Sequence, residues 1–456
     1  MQTLQCVSPI NGSVYAERQL LSIADAGNVV EQAKAAQIMW ASLPLAERVE
    51  RVRAGVAAVG AMNDDIVPEL AWQMGRPVKY GGEFGGFEER ASYMADIAER
   101  ALAPIEVSNN AEFKRYIKRV PHGVVLVVAP WNYPYMTAIN TVAPALIAGN
   151  SVVLKHASQT PLVGERMAQA FHAAGIPESV FINVFLSHET TSALIAEGRF
   201  DFINFTGSVS GGKAIETAAA GTFTGIGLEL GGKDPGYVMD DANLDAAVDT
   251  LIDGAMFNSG QCCCGIERIY VAESLFDEFV EKAVAIVDGY KLGNPLHNDT
   301  TLGPMAHVRF ANEVRAQIGE ALADGATAHI KTFAEDDNGA YLSPQILTDV
   351  NHSMRVMRDE SFGPVVGIMP VKYDAEAITL MNDSEFGLTA SLWTSNADRA
   401  AAIGDEIDTG TVFLNRCDYL DPGLCWIGCK NTGRGGGLSE IGYHNLTRPK
   451  SFHLKK

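Results

Sequence analysis

The chain has 456 residues, more than one hydrophobic core usually serves, which implies two or three domains. Apolar residues make up 47% and charged residues 20%, an ordinary globular balance that needs no disulfide staples. With 35 basic against 55 acidic residues the net charge is −20, which repels phosphate backbones and anionic lipid and excludes nucleic acid or a membrane as main partner.

The opening "MQTLQCVSPINGSVYAERQ" has no basic-plus-apolar leader, and the seven cysteines are odd in number and unevenly spaced. The expected setting is a reducing cytoplasm. The first hundred residues read as helices. In "ADAGNVVEQAKAAQIMWASL", Val29, Val30, Ala33, Ala36, Ile38 and Met39 fall near one helical face, and "LAERVERVRAGVAAVGAM" repeats the pattern from Leu45. Texture changes at Phe113, where "FKRYIKRVPHGVVLVVAP" holds two strand-like runs broken at Pro121-His122-Gly123. The first run is polar and basic, as suits a surface strand or a subunit contact. Apolar runs such as "GVVLVVAP" are too short to span a bilayer.

From Gly123 to about Gly232, short β-branched runs ("GVVLVVA", "SVVLK", "VFINVF", "FINF", "TGIGLEL") alternate with helical stretches such as "VGERMAQAFHAAG". That pattern predicts a parallel sheet covered on both faces, with ligands bound outside the carboxyl ends of its strands. A second alternating region, with "IERIYV", "VVGIMP", "LTASLWT" and "TVFLN" as strands, runs from about Lys233 to Gly410. The tail is glycine-rich at "NTGRGGGLSEIG" and ends in "RPKSFHLKK", a candidate edge strand. The fold class is α/β: two parallel-sheet α/β domains, one of them Rossmann-like, plus a small β segment.

The chemistry concentrates in a few stretches. "FNSGQCCCGIERIYV" sets Cys262, Cys263 and Cys264 side by side before an apolar strand. One thiol could face a cleft as a thiolate nucleophile, yet the triplet alone favours three small buried hydrophobes. A metal cluster is disfavoured, because adjacent cysteines do not chelate one ion comfortably and no paired CxxC or nearby His accompanies them. "LELGGKDP" ends an apolar strand on Glu229, a surface group or, if buried, a general base with a raised pKa. "APWNYP" places Asn132 in a turn after the strongest strand, either a structural Asn or an oxyanion donor. "FTGSVSGG" is a strand–Gly–helix junction that lets backbone N–H groups approach a pyrophosphate, though its spacing is weak evidence. Lys155 ends "SVVLK" at the same sheet edge, solvated or bound to a ribose or phosphate.

Together these stretches resemble the aldehyde dehydrogenase superfamily. The match runs in order through "APWNYP", "GNSVVLKHASQTP", "FTGSVSGG", "LELGGKDP", "FNSGQCCCGIERIYV", "LGP" at Leu302 and "DESFGPVVG". The resemblance implies an NAD- or NADP-dependent oxidation of an aldehyde to its acid. Cys263 is then the nucleophile, Asn132 with the Cys263 backbone N–H holds the oxyanion, and Glu229 is the base that activates water. Lys155 contacts the adenosine ribose, Ser208 and Trp131 the pyrophosphate region, Glu360 the nicotinamide ribose, and Phe362 packs near the nicotinamide. Val128, Pro130, Ser158, Gly207 and Gly212 complete the cofactor set implied by the resemblance. Ser158 stands where NAD-preferring relatives commonly carry Glu, so NADP is admitted alongside NAD. His156 replaces a usual Pro beside that pocket, as an added donor or a local turn variation.

The substrate set implied in the same way is Tyr133, Thr137, Asn140, Cys262, Cys264 and Tyr419. These point to a small polar aldehyde or semialdehyde, although no basic cluster in the helix after "PWNYP" marks a dicarboxylic one. The usual "PFGGxKxSG" reads "CWIGCKNTG", after "NRCDYLDPGL", making Arg416, Asp418 and Trp426 further candidates for substrate selection. Cys425 and Cys429 are spaced too loosely for a metal site. The resemblance assigns 1–110 and 123–232 to an NAD(P)-binding domain and 233–435 to a catalytic domain. It assigns 111–122 and 436–456 to a bridging segment of a homodimer or homotetramer. Two other readings are a coenzyme A-acylating dehydrogenase, opposed by Glu229, and a non-catalytic binding protein on the same fold, opposed by the intact Cys263, Glu229 and Asn132.

Overall fold

The computed structural model describes residues 2–331, 333 and 339–456. It opens not on a helix but on an antiparallel hairpin, β1 (Thr3–Val7) and β2 (Val14–Gln19). The sequence carries the signal, an Asn11-Gly12 pair whose glycine takes φ +75° in the turn. Four helices follow: α1 (Ile23–Ser42), α2 (Leu45–Gly60), α3 (Asn63–Met74) and α4 (Phe84–Ala101). On α1 the buried stripe is Ala26, Val30, Ala33 and Trp40, whereas Ile38 and Met39 are 69% and 71% exposed. This corrects their expected place on the core face: 3.6 residues per turn carries both about 120–140° round the helix from Ala26.

Strands β3 (Ile105–Asn109) and β4 (Phe113–Pro121) come next, then the Rossmann-like series of β5 (Val124–Val128), α5 (Pro134–Ala148), β6 (Ser151–Lys155), α6 (Pro161–Ala173), β7 (Phe181–Asn183), α7 (His188–Ala196), β8 (Phe202–Thr206), α8 (Val209–Ala219) and β9 (Gly225–Glu229). Parallel pairing gives the order β9-β8-β5-β6-β7. The chain winds outward from β5 to β7, then returns to β8 beside β5, creating a switch point where ligands bind in such sheets. Alternation sorts β5 between two cores. Val124, Leu126 and Val128 pack with Ala26 and Val30 of α1 and Leu194 of α7, while Val125 and Val127 face Val52, Met94 and Leu146 of α2, α4 and α5.

The second sheet contains β10 (Asp234–Val238), β11 (Ile266–Ala272), β12 (Thr327–Ala328), β13 (Gln345–Thr348), β14 (Val365–Val371), β16 (Thr389–Trp393) and β17 (Thr411–Leu414), in the order β12-β13-β14-β11-β10-β16-β17. Among the described residues, only its edge strand β12 runs antiparallel. Helices α9 (Leu244–Met256), α10 (Phe276–Asp288) and α11 (Val308–Ala323) cover it. Phe386–Gly387, which is β15, pairs with β18 (Cys429–Lys430). Gly433–Arg434, β19, adds antiparallel to β9 at Glu229 and so ties the tail to the first sheet. The final strand β20 (Thr447–Lys455) zips along β4, whose other edge holds β3. No helix among the described residues is long and apolar enough to cross a membrane.

Asn150 fastens several of these elements. Its Oδ1 accepts from Gly123 N–H at 3.0 Å, and its Nδ2 donates to the Ala145 and Leu446 carbonyls at 3.1 and 3.0 Å. Fully buried, it joins the start of β5, the end of α5 and the C-terminal segment. Asn150→Ala is expected to cost about 2–4 kcal/mol, because the Gly123 N–H and the Leu446 carbonyl lose their side-chain partner and the Ala145 carbonyl loses one of its donors. A lowered denaturation midpoint checks this, and an unchanged one refutes it.

Candidate active site

The carboxyl ends of the first sheet and the loops entering β10, β11 and β14 carry the residues singled out above. The cysteine loop is set by a backbone run that few residues adopt: Asn258, Ser259 and Gly260 have φ of 54°, 56° and 69°. A Cβ at Gly260 would stand 2.2 Å from the Gly363 carbonyl oxygen, so only glycine fits. The Ser259 hydroxyl donates to Gly303 O at 2.8 Å, and Gln261 Oε1 accepts from Ala306 N–H at 2.8 Å. A turn closed by Gly265 N–H on Cys262 O follows at once.

That turn brings the three sulfurs within 4.8 Å of one another. Neighbouring cysteines therefore do converge here, contrary to the expectation from their adjacency, because the turn swings Cys262 and Cys264 to the same side. Their thiols both donate to Asp418 Oδ1, at 3.2 and 2.9 Å. Burial and its charged surroundings push the Asp418 carboxyl up to about 6. Cys263 differs from its neighbours. Hydrogen bonding from the flanking thiols, together with the backbone N–H groups of Cys264 and Cys263, holds its thiol well below the usual range, while Cys262 and Cys264 are pushed well above it. Each flanking S–H has one proton, which serves either Asp418 or the Cys263 sulfur.

Cys263 opens onto a cavity of about 340 Å³ shared with Glu229. Burial first, and the Cys263 charge second, push the Glu229 carboxyl up to about 7; the Thr206 hydroxyl, donating at 3.2 Å, and Arg90 draw it back. Tyr133, Thr137, Asn140, Cys262, Cys264 and Tyr419 line the same cavity, as do Asp418 and Trp426. Asn132 is buried, with its Nδ2 donating to Gln261 O at 3.3 Å, two residues before Cys263. Tyr419 donates to Glu89 at 2.6 Å and lies under the Arg416 guanidinium.

On the other side of the cysteine loop, Trp131 meets Phe362 edge-on at 5.5 Å and stacks on Phe310 at 5.1 Å. Glu267 shapes the Phe362 loop: it accepts from Ser361 and Phe362 N–H, both at 2.8 Å, and pairs with buried Lys233 at 2.6 Å. Glu360 accepts from Gly232 N–H at 3.0 Å, and burial raises its carboxyl to about 8. Val128 and Lys155 are paired across β5 and β6, and Pro130 follows β5. Ser208 caps α8 by accepting from Gly211 N–H at 3.2 Å. Glycines at 207 and 212 let Phe205 and Leu230 press against the backbone there. Ser158 is exposed in the loop beyond Lys155.

His156 is a structural tie and not the added pocket donor considered from sequence. Its Nδ1 accepts from Ala157 N–H at 2.9 Å, leaving Nε2 to donate to Pro134 O at 3.2 Å. Full burial keeps it neutral, its pKa pushed down to about 4. Sequence reasoning missed Arg76, Glu83, Arg90 and Phe310. Arg90 could have been found, since it occupies the apolar stripe of α4 between Phe87 and Met94.

Residues 1–452 match the aldehyde dehydrogenase family. The chain is 30% identical to the succinate-semialdehyde dehydrogenase (NADP(+)) of Deinococcus radiodurans, covering 97% of this chain and 93% of that one. It is 34% identical to the vanillin dehydrogenase of Corynebacterium glutamicum, over 99% and 94% of the two chains. The crystal structure of lactaldehyde dehydrogenase from Escherichia coli superposes with a TM-score of 0.95 at 29% identity, covering 100% and 96%.

The thiols make a direct test. Cys6 and Cys429 are pushed up to about 12 and 11, and Cys262, Cys264, Cys417 and Cys425 are also raised. At pH 7 iodoacetamide is expected to label Cys263 first among the seven, with a pH midpoint below the ordinary thiol value of about 8.5. Peptide mass spectrometry reads the site, and equal labelling of several cysteines would sink the assignment of a special thiol.

Proposed function

The chain belongs to the aldehyde dehydrogenase family and oxidises aldehydes with NAD or NADP; on that premise we propose that Cys263 is the nucleophile, Asn132 an oxyanion donor and Glu229 the general base. The observation that carries this reading is the shared cavity of a depressed thiol and a raised carboxyl, Cys263 and Glu229. The Cys263 thiolate attacks the aldehyde carbon and forms a thiohemiacetal. Its oxyanion is held by the Asn132 amide and the Cys263 backbone N–H, donors fixed before the reaction begins.

Bound NAD(P)+ supplies the acceptor for the hydride. Its fit rests on Lys155, a buried ammonium at the end of β6 with no hydrogen bond or ion pair among the described residues. Lys155 would hold the adenosine ribose, with Val128, Pro130, Trp131, Ser208, Gly207 and Gly212 along the rest of that end and Glu360 and Phe362 at the nicotinamide. Ser158 brings no negative charge to the ribose, which supports acceptance of NADP. Glu229 then takes a proton from water, which attacks the Cys263 thioester and releases the acid. This carboxyl supports hydrolysis over transfer to coenzyme A. We assign 1–110 with 123–232 to the cofactor domain and 233–435 to the catalytic domain.

Assembly and location follow as parts of the same reading. The β20-β4-β3 sheet leaves Ile105, Val107 and Leu454 exposed, which supports a homodimer or homotetramer joined through 111–122 and 436–456. All seven cysteines are free thiols, in keeping with the cytoplasm.

The test is turnover of purified protein on an aldehyde panel with NAD and NADP, with and without coenzyme A. Cys263→Ala is expected to abolish reduced-cofactor formation. Glu229→Gln should form reduced cofactor once per site and then slow about 10²–10⁴-fold, the usual loss with a general base. Because Glu229 works ionised, wild-type deacylation rises as pH climbs through about 7, and the variant lacks that limb. Steady turnover by Cys263→Ala, or acyl release requiring coenzyme A, would refute the reading.

A further inference from the structure

Arg90 is the cavity's unusual residue. It is 7% exposed, on the buried stripe of α4, and lines the cavity that holds Cys263. Its Nη1 donates to Met136 O at 3.0 Å and reaches Asn140 Oδ1 at 3.5 Å. Among the described residues its Nε and Nη2 make no hydrogen bond, and no carboxylate pairs with it. The buried arginines and lysine that frame the site differ, and Arg48, remote from it, gives its Nε and Nη1 to the Ile147, Ala41 and Leu43 carbonyls. Arg76 is paired with Glu83 at 2.5 Å, and Lys233 with Glu267. Arg268 lacks a carboxylate but spends all three nitrogens, on Lys233 O, Tyr270 Oη, Leu380 O and Met381 O. An interior guanidinium with open donors is costly and calls for an acceptor.

Two more open donors share that cavity. Among the described residues, the Tyr133 hydroxyl and the Asn140 Nδ2 are buried without a hydrogen-bond partner, while Asn140 Oδ1 already faces Arg90. The acidic groups nearby are otherwise engaged: Glu83 pairs with Arg76, Asp418 accepts the thiols of Cys262 and Cys264, Glu89 accepts the Tyr419 hydroxyl, and Glu229, which feels the Arg90 charge across the cavity, accepts the Thr206 hydroxyl and not a guanidinium N–H. A ligand rich in acceptors and negatively charged answers all three donors at once. The aldehyde oxygen is served by Asn132, so this group must sit elsewhere on the substrate.

We propose that Arg90, with Tyr133 and Asn140, binds a carboxylate on the substrate, which makes short aldehydes carrying a carboxylate (ω-oxo acids) the preferred class. The inference rests on the assignment of aldehyde oxidation to Cys263. It places on α4 the cationic group that the helix after "PWNYP" lacks. A guanidinium binds a carboxylate through two parallel hydrogen bonds, and the free Nε and Nη2 are such a pair.

The experiment compares kcat/KM for length-matched aldehydes with and without the carboxylate: butanal against 4-oxobutanoate, and pentanal against 5-oxopentanoate. Wild type is expected to favour the oxo acid at least tenfold. Arg90→Met should lower that ratio at least tenfold, mainly through KM of the oxo acid. Tyr133→Phe should lower it severalfold, and it removes a hydroxyl that no group among the described residues uses, so it decides the matter if Arg90→Met fails to fold. A wild-type ratio at or below one overturns the proposal. So does an Arg90→Met variant that slows both members of a pair equally and shifts the pH of Cys263 alkylation, which would make Arg90 a positioning residue for the thiolate. If neither member of any pair is oxidised, the assignment of function fails instead, and the two failures are thereby distinguished.

Discussion

The buried ion pair between Arg76 and Glu83 is the contact on which the site depends. Glu83 Oε2 accepts the Tyr135 and Met136 N–H groups, at 2.9 and 2.8 Å, capping α5 from a distant segment of chain. Arg76 spends its remaining donors on the Asn132 carbonyl at 2.6 Å and on Asn258 Oδ1 at 3.4 Å. One pair thus fixes the entry to α5, the turn that carries Asn132 and the left-handed run that leads to the cysteines. Removing either member would strand a charge in the interior, so neither is replaceable alone. Its guanidinium also stacks on the Tyr133 ring, with 4.8 Å to the centroid.

Given that frame, the three cysteines divide their work through hydrogen bonding. A thiol that donates to a carboxylate resists ionising, because its thiolate would face a like charge. Cys262 and Cys264 hold their protons between the Cys263 sulfur and Asp418, whereas Cys263 receives hydrogen bonds first from those thiols and then from backbone N–H groups. Identical side chains, adjacent in sequence, are separated by what surrounds each sulfur. Asp418 itself sits at φ +50°, a conformation that Asp tolerates better than most residues.

How much of this could be read beforehand depended on range. Apolar runs bounded by turn residues matched strands closely, "SVVLK" becoming β6 residue for residue. Strand β10 escaped, since "DPGYV" reads as a turn; a register shift between Asp234 and Pro235 is how the proline is admitted to an interior strand. Ile38 and Met39 misled because hydrophobicity alone does not say which face of a helix is covered. The candidate site was visible where its residues end local elements, as Glu229 ends β9 and Lys155 ends β6. It was invisible where partners meet across long separations. Nothing local tells that Arg90 faces Asn140, that Asp418 receives two thiols from residues about a third of the chain away, or that His156 turns into the core.

The buried cations carry the last step. A charge taken from water must be answered, by a carboxylate, by carbonyls or by something that arrives later. Arg76, Lys233 and Arg268 are answered within the protein, and each braces a loop or strand that shapes the site. Lys155 and Arg90 are the contrasting cases. Lys155 has no hydrogen-bond partner among the described residues, and Arg90 leaves two of its three nitrogens without one. They also belong to different ends of the site. Lys155 ends a central strand of the first sheet, and Arg90 lines the cavity into which Cys263 opens. A cation answered from within holds the fold, and its removal is felt as lost stability. A cation left open gains its partner only with ligand, so its energy appears in binding. On that division the unspent donors of Lys155 and Arg90 are what the proposed reading assigns to cofactor and substrate.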